Sequence, residues 1–398
     1  MDHQQTPPTN MTDNPNHTTI GFDAKRIVSN YTGLGNYGRT LVNALADGNP
    51  HLNLKLYAPD SGHEDLRAQL SKADNVTFCY PENARCRLQK DWWRHRGITK
   101  QLVSDGVDIF HGLSGELPVG IKNSGIKSIV TIHDLIFMRH PEYYKRIDAY
   151  LYKRKFLATC READQIIAIS ECTKRDIMAF SNYPERQIKV IYQACGTHFK
   201  QPASADHLQS ARQTHHLPQR YVLYVGSIEE RKNLLLAVKA VRHLPTDVSL
   251  VAVGRATPYL QKVRKYIHAH GLEPRVRMLH NVGNDELPAI YQQAECFVYP
   301  SRYEGFGIPI IEAIQSGLPV VACTGSCLEE AGGPNSLYVH PDDEEALAQA
   351  IAASLQGSPG RDERIAQSQA YVRRFENADV ANQVLEAYRS LRQAGIHR

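Results

Sequence analysis

Short runs of β-branched and aromatic residues alternate, from one end of the chain to the other, with segments whose apolar positions recur every three or four residues. That alternation is the mark of parallel α/β layers. In the first half it predicts strands over Thr19–Asp23, Leu52–Tyr57, Asp108–His111, Ser128–His133, Gln165–Ser170 and Ile188–Tyr192, with helices between them. The helix around Tyr37–Ala46 carries Leu41, Val42 and Leu45 at the spacing of one buried face.

A polar passage over 200–220, with Pro202 and Pro218, interrupts the alternation as a linker joined to a short helix. A second series of strands follows at Tyr221–Gly226, Ser249–Gly254, Val276–His280, Cys296–Pro300, Pro319–Cys323 and Leu337–Val339. Asp342–Leu355 is predicted helical from its acidic start and Ala/Leu spacing, and Asn377–Ala394 from a stripe of Val380, Val384, Leu385, Tyr388 and Leu391. The expected architecture is two doubly wound Rossmann-like domains, over 18–200 and 221–376, joined by a linker at 201–220 and followed by a C-terminal helix at 377–398. At 398 residues the chain exceeds what one core usually supports, which agrees with two domains.

Composition is that of a soluble enzyme, with 42% apolar and 22% charged residues. Residues 1–200 carry 26 Lys+Arg against 21 Asp+Glu, and residues 201–398 carry 20 against 21, so the basic excess lies in the first half. It gathers in Arg85–Lys100, with Trp92 and Trp93, and in Arg139–Arg161, with Tyr143, Tyr144, Tyr150, Tyr152 and Phe156. Such stretches suit an anionic membrane surface or a phosphate-bearing substrate, or are simply solvated helix faces. Nucleic acid is not among the expected partners. Eight cysteines without paired zinc spacing, several in apolar runs, fit a reducing compartment. The polar segment 1–17 is expected to be a disordered leader, and no stretch approaches the length of a membrane span. The expected location is the cytoplasm, peripherally on the inner face of the plasma membrane.

Ligands of doubly wound sheets bind beyond the carboxyl ends of the strands, and the candidate chemistry lies there. Gly33-Leu34-Gly35-Asn36-Tyr37-Gly38 matches the dinucleotide glycine pattern, but starts about ten residues after its strand. A glycine loop opening a helix still favours anions. His133 ends a β-branched strand and is expected to face the ligand. Gly226-Ser227, then Arg231-Lys232-Asn233, offers amide donors and two cations to a diphosphate at the start of a helix. In Ser301–Ala313, Gly305 and Gly307 are expected to let a ligand approach the backbone. Glu304 in the loop and Glu312 in the following helix are placed to accept sugar and ribose hydroxyls.

These motifs, with Ala163-Asp164 and Ile169-Ser170-Glu171, resemble family 4 of the retaining glycosyltransferases, whose fold is GT-B. The resemblance implies that Arg231 and Lys232 bind the donor diphosphate, Glu312 the ribose, and Glu304 with the amides of Gly305, Phe306 and Gly307 the transferred sugar. His133 would meet that sugar near its reacting face. Gly33, Gly35, Gly226 and Ser227 would complete the donor site, and the backbone around Asn281 and Val282 would read a GDP- or UDP-linked base. No metal or other cofactor is implied. The segments His133–Phe137 and Val190–Gly196 look like the mannosyltransferase-like branch of bacterial surface-polysaccharide and lipopolysaccharide assembly, so the expected acceptor is a glycan or a lipid-linked sugar. The alternatives are another GT-B enzyme, such as a sugar-nucleotide epimerase or a phosphorylase, and a non-catalytic sugar-nucleotide binding module.

Overall fold

The computed structural model describes residues 18–82 and 84–393, so the expected leader at 1–17 and the last five residues of the chain lie outside the described residues. Among the described residues, thirteen strands form two sheets. The seven-stranded sheet holds β1 (Thr19–Asp23), β2 (Asn53–Tyr57), β3 (Val76–Cys79), β4 (Ile109–Gly112), β5 (Lys127–Ile132), β6 (Gln165–Ala168) and β7 (Ile188–Val190), in the order β3-β2-β1-β4-β5-β6-β7. The six-stranded sheet holds β8 (Arg220–Val225), β9 (Val248–Val253), β10 (Val276–Leu279), β11 (Cys296–Tyr299), β12 (Val320–Cys323) and β13 (Leu337–Val339), in the order β10-β9-β8-β11-β12-β13. The pairings within it are parallel. Both sheets are thus doubly wound, as the alternation predicts. The unforeseen strand is β3, an edge strand with no fully buried residue and therefore no continuous apolar run to announce it.

The chain divides into two compact units, one of residues 1–113 and 117–129, the other of 114–116 and 130–398. In the first, the helix Gly33–Gly48 buries Leu41, Val42 and Leu45. Its glycines are not a loop ahead of the helix, as expected, but its opening turns. A Cβ on Gly35 would lie 1.9 Å from the Asn30 carbonyl oxygen, so this glycine serves a close backbone approach, whereas Gly33 has nothing within 4 Å of that point.

In the second unit, the helices Leu234–Val241 and Glu344–Ala352 send Leu234, Val238, Val241, Leu347 and Ile351 into a core with Val222, Leu250, Val298 and Val321. The other core packs Leu223, Val251, Phe297 and Tyr299 with Ile310 and Ile314 of the helix Ile308–Gln315, and reaches Ile136, Ile169, Cys172, Cys195 and Phe199. This shared core is why the compact units part near residue 130, rather than at the polar segment 201–220. That segment contains the helix Ala205–Thr214, capped by Ser204, and connects the last strand of one sheet to the first of the other. The helix Asn377–Gln393 buries Val380, Val384, Leu385, Tyr388 and Leu391, and Lys189 Nζ donates to Ser390 Oγ at 2.7 Å.

The two basic aromatic stretches are only partly surface. Phe156 and Trp93 are buried, and Tyr143 and Tyr144 pack against the core, while Trp92, Ile147, Tyr150, Leu151 and Tyr152 are exposed. Among the described residues no helix is long and apolar enough to cross a membrane.

Candidate active site

In the six-stranded sheet the winding reverses at β8, which lies between β9 and β11, so the loops after β8 and β11 flank the switch point where such sheets hold ligands. The loop after β8 begins with Gly226 at a φ of 156°, a backbone setting that disfavours a side chain. Its path is tight: a Cβ on Gly254, at the end of β9, would lie 1.9 Å from the Gly226 carbonyl oxygen. Successive turns follow, with Lys232 N donating to Glu229 O and Asn233 N to Glu230 O. The helix starts only at Leu234, with Asn233 as its cap at a φ of 55°, so Arg231 and Lys232 stand in the turns ahead of the helix rather than in its first turn. Cations there avoid the unfavourable end of the helix dipole. Ser227 lies between, and its hydroxyl has no hydrogen-bond partner among the described residues.

The loop after β11 meets these cations. Glu304 Oε1 receives Arg231 NH1 and Lys232 Nζ, each at 2.9 Å, Ser301 Oγ at 2.8 Å and Tyr299 OH at 3.2 Å. All three charged side chains are mostly buried, at 11–14% exposure. Burial alone would push Glu304 up; Lys232 and Arg231 outweigh it and hold the carboxylate down at about 2. The cluster is therefore an ionised carboxylate between two cations, with a net positive charge. Arg231 NH1 also donates to Tyr303 O at 2.5 Å, and Lys232 Nζ to Tyr299 OH at 2.8 Å, which fixes both side chains.

Gly305 and Gly307 have a different use from the one expected. A Cβ on Gly305 would lie 2.0 Å from the His133 carbonyl oxygen, and one on Gly307 would lie 3.1 Å from Leu328 Cδ2. The space they leave is filled by the protein itself, not held open for a ligand. Ser170 Oγ donates to Gly305 O at 2.7 Å, and Thr173 Oγ1 lies 3.3 Å from both Gly305 O and His133 O. Cys327 Sγ sits 3.1 Å from Glu304 O and 2.9 Å from Phe306 O. The Glu304–Gly307 loop is thus clasped against the end of β5. His133 follows β5 directly, and Gln193 Nε2 donates to its Nδ1 at 2.7 Å, leaving the ring proton on Nε2. Asp134, beside it, is pushed up by burial.

Gly307, at a φ of 116°, caps the helix Ile308–Gln315, which has Pro309 in its first turn as expected. Glu312, one turn in, accepts from Tyr291 OH at 2.9 Å on Oε2. Burial pushes its carboxyl up to about 7, against the opposing effect of the Tyr291 hydrogen bond. The two glutamates therefore have opposite electrostatic settings. Asn281, exposed and at a φ of 59°, and Val282, half-buried against the core, form the loop after β10, where His280 Nδ1 lies 2.6 Å from Gly254 O.

The comparisons with known proteins divide the chain between the two sheets. Residues 31–198 match the model described as Glycosyltransferase Family 4, and residues 207–371 match the one described as Glycosyl transferases group 1. The chain belongs to the family 4 glycosyltransferases. The transferase is 28% identical over 384 residues to the O-antigen chain mannosyltransferase B of Escherichia coli, an alignment covering 94% of this chain and 100% of that protein. It is 26% identical over 306 residues to the serotype-specific mannosyltransferase WbdA of E. coli, covering 72% of this chain and 37% of the longer relative. Among solved structures, Anabaena HepE in complex with UDP and glucose superposes with a TM-score of 0.72 at 18% identity, over 94% of this chain and 100% of that one. The transferase accordingly has the GT-B fold.

Of the predicted site residues, the structure brings Arg231, Lys232 and Glu304 into direct contact and places His133 and Gly305 backbone to backbone. Glu312, Gly226 and Ser227 lie on the same sheet's loops and helices. Gly33 and Gly35 belong to the other compact unit. Sequence reasoning gave no role to Gln193, Tyr291, Tyr299, Ser301, Ser170, Thr173 or Cys327. Tyr299 and Ser301 had a signal, since they flank the strand end five and three positions before Glu304. The others are partners from distant segments, with 60 positions between Gln193 and His133 and 135 between Ser170 and Gly305.

Proposed function

We propose that the transferase moves mannose, with retention of anomeric configuration, from a nucleoside-diphosphate sugar to a glycan or lipid-linked acceptor in surface-polysaccharide synthesis. The observation that carries this reading is the convergence of Arg231 and Lys232 on Glu304 at the switch point. The names of the two mannosyltransferase relatives support the sugar and the polysaccharide. HepE's complex with UDP and glucose supports a nucleotide-linked donor.

In this reading the diphosphate lies against Arg231, Lys232 and Ser227, which neutralise and hydrogen-bond it without a metal. Glu304 accepts hydroxyls of the transferred sugar, and Glu312 those of the nucleotide ribose, with GDP or UDP as the carrier and the base beside Asn281 and Val282. The acceptor oxygen attacks the anomeric carbon on the face from which the diphosphate departs. The carbon–oxygen bond to the diphosphate breaks as the new glycosidic bond forms, and the departing phosphate oxygen takes the acceptor proton. No side chain is needed as general base. Proton-bearing Nε2 of His133 supplies a donor to the sugar.

We place the protein in the cytoplasm, held peripherally at an anionic membrane. The support is the helix Arg146–Glu162, which exposes Ile147, Tyr150, Leu151 and Tyr152 beside Lys153, Arg154 and Arg161.

The deciding experiment incubates GDP-mannose or UDP-sugars with membrane or glycan extracts and wild-type, Lys232→Ala or Glu304→Gln protein. Transfer by the wild type and its loss by at least 100-fold in both variants is expected. Epimerisation of the donor without an acceptor, or wild-type turnover in either variant, contradicts the reading.

A further inference from the structure

A cavity of about 310 Å3 opens beside Arg231 and takes in none of the other residues assigned to the donor. That volume is within the roughly 300–1,000 Å3 of small-ligand sites. Tyr143, Tyr144 and Tyr259 line it together with Glu142, Glu229, Glu230, Arg231 and Thr257. The tyrosines come from two places in the chain. Tyr143 and Tyr144 precede the helix Arg146–Glu162, and Tyr259 follows β9.

The hydroxyls of these tyrosines differ from those of the tyrosines buried in the cores. Tyr221, Tyr224, Tyr291, Tyr299 and Tyr303 all donate to a protein acceptor. Tyr143, Tyr144 and Tyr259 are half-buried and pack their rings against the cores, yet none of their hydroxyls has a hydrogen-bond partner among the described residues, and none is sealed from solvent. Burial raises the pKa of each, Tyr144 to about 12, so they remain neutral donors. Glu142, Glu229 and Glu230 outnumber the one cation, Arg231, on its walls, which disfavours an anion as occupant. Rings for apolar faces, with hydroxyls and carboxylates for vicinal diols, match an uncharged sugar.

Glu230 and Tyr259 also line a neighbouring cavity of about 130 Å3, which shares Arg302 and Pro341 with a third of about 500 Å3. Resting on the transferase reading above, we propose that the Tyr143–Tyr144–Tyr259 cavity binds the terminal sugar of a glycan acceptor, with the adjoining cavities available to the preceding sugars. Arg231 then stands between the donor diphosphate and the acceptor, at the junction where the bond is exchanged.

Titration of full-length protein with methyl α-mannoside, mannobiose and mannotriose, followed by saturation-transfer NMR, tests the assignment. Separate titrations with GDP and UDP read the donor site. Affinity rising from the monosaccharide to the trisaccharide is expected, with a loss of at least tenfold in Tyr143→Ala and Tyr259→Ala. Tyr143→Phe and Tyr259→Phe, which keep the packed rings and remove only the hydroxyls, are expected to lose about three- to tenfold. Wild-type protein that binds a nucleotide but none of the three saccharides overturns the saccharide site and leaves the donor reading standing. Unchanged saccharide affinity in the Phe and Ala variants overturns it as well. Saccharide binding without nucleotide binding overturns the donor reading alone.

Discussion

At the scale of single residues, the two glutamates identified by their eight-position spacing respond to pH in opposite senses. Glu304 lies below the usual carboxylate range, at about 2, so its contribution to stability is present above about 4.5 and is lost as pH falls toward 2. At neutral pH it is a fixed negative charge. Glu304→Gln removes that charge from two buried cations, for which breaking a buried pair costs about 3–5 kcal/mol. A diphosphate supplies the missing charge. Calorimetry is therefore expected to show Glu304→Gln binding a nucleoside diphosphate at least as tightly as the wild type, while transfer is lost. Glu312 is raised to about 7, so the folded protein binds its proton more strongly than the unfolded chain, and this group destabilises the fold as pH rises from about 4.5 to 7. Its ionised form is the one that accepts two ribose hydroxyls. Nucleotide affinity is expected to rise between pH 6 and 8, and Glu312→Gln to flatten that rise; a profile unchanged in the variant removes the ribose assignment.

At the scale of elements, the controlling contact is the backbone approach of the Glu304–Gly307 loop to the end of β5. Gly305→Ala sets a methyl 2.0 Å from the His133 carbonyl oxygen, which no rotamer change relieves. Overpacking of that kind costs about 1–3 kcal/mol. Gly305→Ala is expected to lower the melting temperature and to lose more activity than Ser170→Ala, which removes one of two hydroxyls on Gly305 O and leaves Thr173 in place. Circular dichroism melts with transfer assays on both variants check the order. The position of this loop was legible from the chain, because a parallel sheet obliges functional loops to follow strand ends, and Pro300–Gly307 follows a strand of buried apolar residues. The reason for its glycines was not. Glycine marks a close approach without naming what approaches, and here it is another segment of backbone rather than a ligand.

At the scale of the whole molecule, alternation of apolar runs and amphipathic helices was enough to foresee two doubly wound sheets, because strands buried on both faces leave uninterrupted apolar runs. It was not enough for β3, half-exposed at a sheet edge, nor for the division of the chain into compact units, which depends on which residues share a core. Cys172, Cys195 and Phe199 carry no local sign that they pack with Phe297 and Tyr303. Two measurements belong at this scale. A nucleoside diphosphate at 100 times its dissociation constant is expected to stabilise the fold by about 2.7 kcal/mol, visible as a thermal shift that is absent in Lys232→Ala. Flotation with anionic vesicles is expected to carry the protein at low salt and release it as salt rises, with Tyr150→Ser/Leu151→Ser weakening the association. Flotation indifferent to salt contradicts electrostatic attachment.

The core that joins Ile136, Ile169 and Cys172 to the six-stranded sheet has a consequence for recombination. Grafting the donor half of a relative onto this chain looks simplest at the polar segment 201–220, between the sheets. A crossover there separates Ser170 and Thr173 from the carbonyl they hold, Asp176 from the Tyr303 hydroxyl 2.6 Å away, and Glu330 from the two amides at the head of the helix Glu171–Phe180. Chimeras that inherit residues 130–393 as one block are expected to fold more often than those joined at 201–220. In this protein the unit of inheritance for donor chemistry begins about ninety residues before the sheet that carries it.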